Sequence, residues 1–251
     1  MSSYLDHSMR AYRRAGTALA ILRSQGATRL WHYAAYRASE IWWEYYYGIQ
    51  TAGQIEVGAL GISNPDSVSY APTPYAAYRR AMRKVKIQSG RDVFVDYGAG
   101  LGRIVAVAST YPMKRVIGVE ISNELTEKAK INVARTSNRG QCPVEIVTTD
   151  ALAFNLPDDS TILHFFNPFR GETLYGVIDN IRASLVRNPR QLYLLFANPW
   201  QMDMLVQKGA PIGRPWIKSA EDVCWAHHEH VEKNTNRYRV YRIDSRPDSS
   251  H

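Results

Sequence analysis

A short strand-forming run that breaks directly into alternating glycines constrains this chain more than any other feature. Val93-Phe94-Val95-Asp96 leads into Tyr97-Gly98-Ala99-Gly100-Leu101-Gly102-Arg103, so a buried strand passes straight into a sharp turn and then a helix. The glycines let the backbone turn sharply and let a ligand approach the main chain without a Cβ in the way. In a parallel sheet such a turn stands at the carboxyl edge of its strand, where open α/β folds bind ligands.

The rest of the chain supplies the sheet. Val116–Glu120, Val144–Thr148, Thr161–Phe165 and Leu192–Phe196 are further β-rich runs. Helical patterns at about 101–110, 122–137 and 172–187 lie between successive strands, with only a loop and short turn between the third and fourth. Strand, helix and strand in alternation imply right-handed crossovers and a parallel sheet. Upstream, Thr73 before Pro74 reads as an N-cap with proline at the first helical position, and Tyr75, Tyr78, Met82 and Val85 give that helix its apolar face. A helix is expected after Asn198-Pro199. Val223–His228 and Arg237–Ile243 are expected as an antiparallel edge pair, with Asn234, Thr235 and Asn236 in the turn.

Before residue 73 the order is different. Met9, Tyr12, Ala15, Leu19 and Leu22 recur at helical spacing, and Leu30, Ala34, Ala38, Ile41 and Tyr45 do so again, with Gly26 between them. These are read as two helices forming a cap. The Trp42–Gly48 cluster either stacks on a base, sugar or lipid interface or, as the plainer reading has it, docks its helix against the domain. Glycines and prolines make 48–72 an irregular connector. The expected organisation is a cap and connector over 1–72 and an α/β domain over 73–251.

Composition excludes several classes. Apolar residues at 45% and charged residues at 22% are globular values, and no apolar run approaches the roughly 18 residues a bilayer span needs. No secretory signal is expected, and Cys142 and Cys224, forming no CxxC pair, suit a reducing cytoplasm. The net charge is +8, of which residues 1–90 carry +6 from eleven basic and five acidic side chains. A basic front section can steer the protein to phosphates, anionic lipid or an acidic substrate, or it can be a solvated helical face.

The ligand class follows from spacing and sign. Gly98, Gly100 and Gly102 are spaced GxGxG rather than the GxGxxG of dinucleotide sites, and no Lys-Ser or Lys-Thr follows to make a P-loop. Asp96, two residues before the first glycine, would repel a pyrophosphate and attract a cation. S-adenosylmethionine, with an ammonium, a sulfonium and no phosphate, has the matching sign. Glu120 ends the second strand, where a carboxylate can accept both ribose hydroxyls, and Asp150, after the third, suits the adenine amino group. His227, His228, Glu229 and His230 lack a third ligand at a defined spacing and read as a polar edge, so no metal is expected. His164, inside the fourth strand, reads as a core histidine with its hydrogen bonds satisfied, and Arg103 as a support for the site.

In Asp96–Gly102, Val116–Glu120, Thr149-Asp150-Ala151 and Phe165-Phe166-Asn167-Pro168-Phe169 the sequence resembles the class I S-adenosylmethionine-dependent methyltransferase family, over roughly 70–198. The resemblance implies a Rossmann-like, mostly parallel seven-stranded sheet with helices on both faces and the last strand antiparallel. It implies cofactor contacts at Asp96, Gly98, Ala99, Gly100, Gly102, Glu120, Ile121, Asp150, Ala151 and Asn167. Asn167-Pro168-Phe169 also looks like the Asn-Pro-Pro-aromatic motif of amino-group methyltransferases, without its second proline and ending in Phe. By that likeness Asn167 and the Pro168 carbonyl orient an amine toward the methyl group, with Phe169 beside them. Tyr70-Ala71-Pro72-Thr73 resembles the cofactor-covering loop of seven-strand protein-lysine methyltransferases, which would set Thr73 on the methionine carboxylate and Tyr70 or Tyr75 over the site. The expected activity is methyl transfer by in-line displacement to an amino nitrogen of a protein lysine or small amine. An O-methyltransferase of a glycan or secondary metabolite and a non-catalytic binding module for nucleic acid or membrane stand as alternatives.

Overall fold

The computed structural model describes residues 2–136, 138–197, 217–224 and 237–244. It divides into two compact units, Met1–Tyr46 and Tyr47–His251. The sequence places that division at 72. The connector counts with the sheet because its own bonds run there: the Tyr70 hydroxyl donates to the Thr51 carbonyl, and Arg103 Nε donates to Thr51 Oγ1 at 2.7 Å.

The first unit is helical. Helix α1 runs Ser2–Tyr47, and its backbone leaves the helical region at Gly26 (φ 84°, ψ 173°), where the sequence pattern breaks into two. Within the aromatic cluster Trp42 stacks on Tyr46 and meets Trp43 edge-on. Tyr47 is buried and stacks on Tyr75. No described helix is long and apolar enough to cross a membrane.

The second unit is the α/β sheet. After a one-turn helix at Val57–Leu60 come α2 (Tyr75–Met82), β1 (Val93–Tyr97), α3 (Arg103–Ala108), β2 (Arg115–Glu120), α4 (Asn123–Thr136) and β3 (Val144–Thr148). Then follow β4 (Ser160–Phe166), α5 (Gly171–Arg187), β5 (Gln191–Ala197), β6 (Ile217–Cys224) and β7 (Arg237–Asp244). The strand order is β3-β2-β1-β4-β5-β7-β6. Pairs among β1 to β5 are parallel, and β7 runs antiparallel to both β5 and β6.

Side chains alternate across the sheet. Val93, Val95 and Tyr97 share one core with Leu163 and Phe165 of β4 and with Leu174, Val177 and Ile178 of α5. Phe94 and His164 face the other way, against Tyr78 of α2. Each such apolar side chain contributes roughly 1.5–3 kcal/mol on leaving water, so this double-sided burial holds the strand tips in place.

Two expectations need correcting. The late strand begins at Ile217, well before the expected Val223, and runs to Cys224, with 225–228 outside the described residues; β7 lies between β5 and β6, so of this pair only β6 is at an edge. Pro74, not Thr73, is the N-cap of α2, with no side-chain capping bond. The Thr73 hydroxyl is bonded instead to Tyr238 of β7. The Asn234–Asn236 turn, the helix after Pro199 and the His227–His230 cluster lie outside the described residues.

Candidate functional site

The carboxyl ends of β1 to β4 open on a cleft of about 690 Å³, part of it continuous with solvent. Gly98, Gly100, Glu120, Asp150 and Asn167 all reach its wall, so residues far apart in sequence converge as the parallel order requires. Gly98 (φ 73°) and Gly100 (φ 55°) take left-handed conformations. Their missing side chains make room for this chain's own residues: a Cβ on Gly98 would strike Pro168, and one on Gly100 would strike the Tyr70 ring.

Glu120 ties the turn to the second strand. Its Oε2 accepts the Gly100 N–H at 2.8 Å and its Oε1 the Ser122 N–H at 2.9 Å. Burial pushes its carboxyl above the ordinary carboxylate range, against the lowering effect of the backbone N–H groups that reach it. Two carboxylate oxygens carry about four lone-pair sites, so acceptor capacity remains for a ligand hydroxyl. Asp150 closes its own turn through Oδ1, which accepts the Leu152 N–H at 2.8 Å, and lines the cleft as well. Ile121, 39% exposed, and Ala151 add apolar wall beside these acids.

Asp96 is placed differently from the expectation. It is 3% exposed and does not line the cleft. Its Oδ1 lies 2.7 Å from Nδ1 of His164, whose Nε2 lies 2.6 Å from the Tyr238 hydroxyl. Strand register is the reason. Asp96 pairs with Gly118, two residues short of Glu120, and so stands deeper in the sheet. His164 is fully buried with both ring nitrogens bonded, as a core histidine should be. Ala99, Gly102 and Thr73 are likewise outside the cleft wall: Ala99 and Thr73 are buried, and a Cβ on Gly102 would strike Ala129. Arg103 is also buried, donating to the Thr73 carbonyl at 3.0 Å with its guanidinium over the Tyr75 ring.

At the end of β4, Asn167 is the one non-glycine residue with positive φ (48°) among the described residues. Backbone held there costs of order 1 kcal/mol or more and persists where its surroundings dictate it. Pro168 packs on Gly98. Phe169 lines the cleft yet is 9% exposed, because its ring joins the core edge-on to Tyr97 and Phe165.

The wall that sequence periodicity missed is the connector. Ser67 bridges to Phe169, the Arg170 N–H donates to the Asp66 carbonyl at 3.0 Å, and Asp66 Oδ2 accepts both the Thr173 N–H and hydroxyl. These bonds hold Ser67–Ala71 in the cleft wall, with the Tyr70 ring packed on Gly100. The available signal was Asn64-Pro65-Asp66, which folds as an Asx turn with Asn64 Oδ1 accepting the Asp66 N–H at 2.9 Å.

Charge gives the cleft its chemistry. Among the described residues its lining includes the acids Glu120 and Asp150 and no lysine, arginine or histidine. Also among the described residues, no three ligand-type side chains gather to hold a metal ion.

Residues 66–142 match the family described as "Histone methylation protein DOT1". A curated relative, a protein-lysine N-methyltransferase of Saccharolobus islandicus (strain REY15A), is 33% identical over 78 residues, 31% of this chain and 48% of that protein. The chain thus spans about half the length of the curated relative it matches. Among solved structures, the human methyltransferase 10 domain containing protein is similar with a TM-score of 0.52 at 12% identity, over 85% of this chain and 97% of that one. A dimethyladenosine transferase from Plasmodium falciparum has a TM-score of 0.50 at 16% identity, over 70% of this chain and 63% of that one. The sheet therefore shares the Rossmann-like, mostly parallel fold of these solved methyltransferases.

Proposed function

We propose that this chain transfers a methyl group from S-adenosylmethionine to an amino nitrogen, with a protein lysine as the acceptor class. The observation that carries the reading is the sign of the cleft: acids at the tips of β2 and β3, and no basic group in the described lining to receive a phosphate. Such a rim suits a cationic nucleoside and opposes a dinucleotide. Glu120 would take the ribose hydroxyls, Asp150 the adenine amino group, and Ile121 and Ala151 the flat face of the base. When bound, the sulfonium supplies an already activated methyl group.

The protein's own work is then orientation and exclusion of water. In this reading the Asn167 side-chain oxygen and the Pro168 carbonyl accept N–H bonds from the amine, both residues lining the cleft. The amine must arrive uncharged. Because the described lining holds no histidine or lysine to take its proton, turnover should climb with pH toward the amine's own pKa, about 10.4 for a lysine. The lysine class is supported by the family match over 66–142 and by the name of the curated relative.

The test is transfer of labelled methyl from S-adenosylmethionine into a fractionated lysate, followed by protease, nuclease and hydrolysis to methyl-lysine. Label in methyl-lysine supports the proposal. Label removed by nuclease, or lost as a base-labile ester, overturns the acceptor. Calorimetry showing binding of a nicotinamide dinucleotide and none of the sulfur nucleoside overturns the cofactor. Asn167→Ala should bind the cofactor within about threefold of wild type yet turn over at least tenfold more slowly; unchanged turnover removes Asn167 from the mechanism.

A further inference from the structure

Helix α5 starts without a cap of its own. Arg170 stands at its N-cap in extended backbone and makes no side-chain capping bond, although the first N–H groups of a helix have no partner within it. The acceptor comes from the connector instead. Asp66 Oδ2 takes the Thr173 N–H at 2.9 Å and the Thr173 hydroxyl at 3.0 Å, and Asn64 Nδ2 donates to that hydroxyl at 3.3 Å. Thr173 is the third residue of the helix, one of the positions whose N–H a capping side chain accepts. The carboxylate fits the notch left by Gly171, whose backbone is left-handed (φ 51°): a Cβ there would lie 2.7 Å from Asp66 Oδ1.

Two parts of the cleft wall meet at this one side chain. After Asp66, Ser67 bridges to Phe169 and the Tyr70 ring packs on Gly100. Before α5 stands Asn167-Pro168-Phe169, with Pro168 packed on Gly98. Asn167 therefore lies between two fixed ends: Phe166 is paired to Ala197 of β5, and the start of α5 is pinned by Asp66. A segment held at both ends keeps an unfavourable φ of 48°, whereas one released at an end relaxes to negative φ and carries its side chain with it. We infer that Asp66 is a positioning residue for methyl transfer: by capping α5 from a distant segment it holds Asn167 at the cleft wall in its left-handed conformation. The inference rests on the methyl-transfer reading and on the part Asn167 plays in it.

Turnover and amide exchange of the full chain test this. Turnover is followed as S-adenosylhomocysteine formed with whichever lysate fraction accepts the methyl group, per mole of cofactor-binding protein. Asp66→Ala should lower kcat about tenfold while KM for S-adenosylmethionine stays within about threefold, because only the acceptor side is displaced. Gly171→Ala, which drives the carboxylate from its notch, should do the same. Asp66→Asn, whose amide oxygen still accepts the Thr173 N–H, should bring kcat back to within about threefold of wild type. Hydrogen exchange read by mass spectrometry should quicken in Asp66→Ala over 64–71 and 166–174 together, and over neither in Asp66→Asn. An unchanged kcat, an equal loss of cofactor affinity, or faster exchange confined to 171–174 overturns the proposal. Absence of transfer by the wild type to every fraction defeats the methyl-transfer reading alone; exchange over both segments, or over α5 only, still decides whether Asp66 fixes Asn167.

Discussion

Two of the acids near strand tips, Glu120 and Asp96, have opposite fates. Glu120 at the end of β2 faces the cleft, while Asp96 near the end of β1 turns into the sheet and joins a buried chain through His164 to Tyr238. Both stand beside the glycine turn in sequence or space, and both look alike on the page of residues. What separates them is depth: β1 and β2 pair with Asp96 opposite Gly118, so Glu120 projects past the point where Asp96 is enclosed. A carboxylate at a strand end is therefore a ligand group or a structural one according to a register of two residues.

The largest expected effect tests the structural side. Asp96→Ala should lower stability by about 3 kcal/mol in urea titration, since it leaves Nδ1 of a buried imidazole without its partner. A loss under 1 kcal/mol with abolished binding would reverse the assignment of the two acids. Next, Glu120→Ala should weaken S-adenosylmethionine binding roughly 100-fold by calorimetry, as two charge-assisted bonds to a ligand are lost. Retained affinity would return the cofactor to Asp96. Tyr238→Phe, which removes only the far end of the buried chain, should cost about 1 kcal/mol and leave affinity within a few-fold.

The smallest effect is a pH dependence with two signs. Because burial raises the Glu120 carboxyl above its ordinary value of 4.5, protonation on acidification begins earlier than for an exposed glutamate. Cofactor affinity should fall as pH drops through that raised value. Stability of the ligand-free protein should move the other way, since the folded form binds the proton more tightly between the raised value and 4.5. Melting temperature and calorimetry across the same buffers would read both, and the split should vanish in Glu120→Ala.

This comparison also shows what could be read in advance. The strand-turn-helix at Val93–Arg103 and the alternation behind it are local or periodic, so residues alone convey them. Inward rotation of Asp96 depends on pairing with a strand some twenty positions away, which no local pattern encodes. Phe169 looks like an acceptor-facing aromatic until the neighbouring Tyr97 and Phe165 rings claim it for the core. The connector's part in the wall rests on single bonds such as Ser67 to Phe169, made by a segment with no period to detect. At Leu30–Tyr45 the spacing conveys a helix correctly.

The insertion of β7 between β5 and β6 has a consequence for the order in which the protein is made. Tyr238, the hydroxyl that completes His164, emerges from the ribosome 74 residues after it. Until that stretch has been synthesised, the first five strands can associate but hold an imidazole whose outer nitrogen has found no mate. Consolidation of the nascent sheet thus waits for β7, and a chain halted before residue 237 should be a substrate for chaperones and proteases rather than a smaller stable domain.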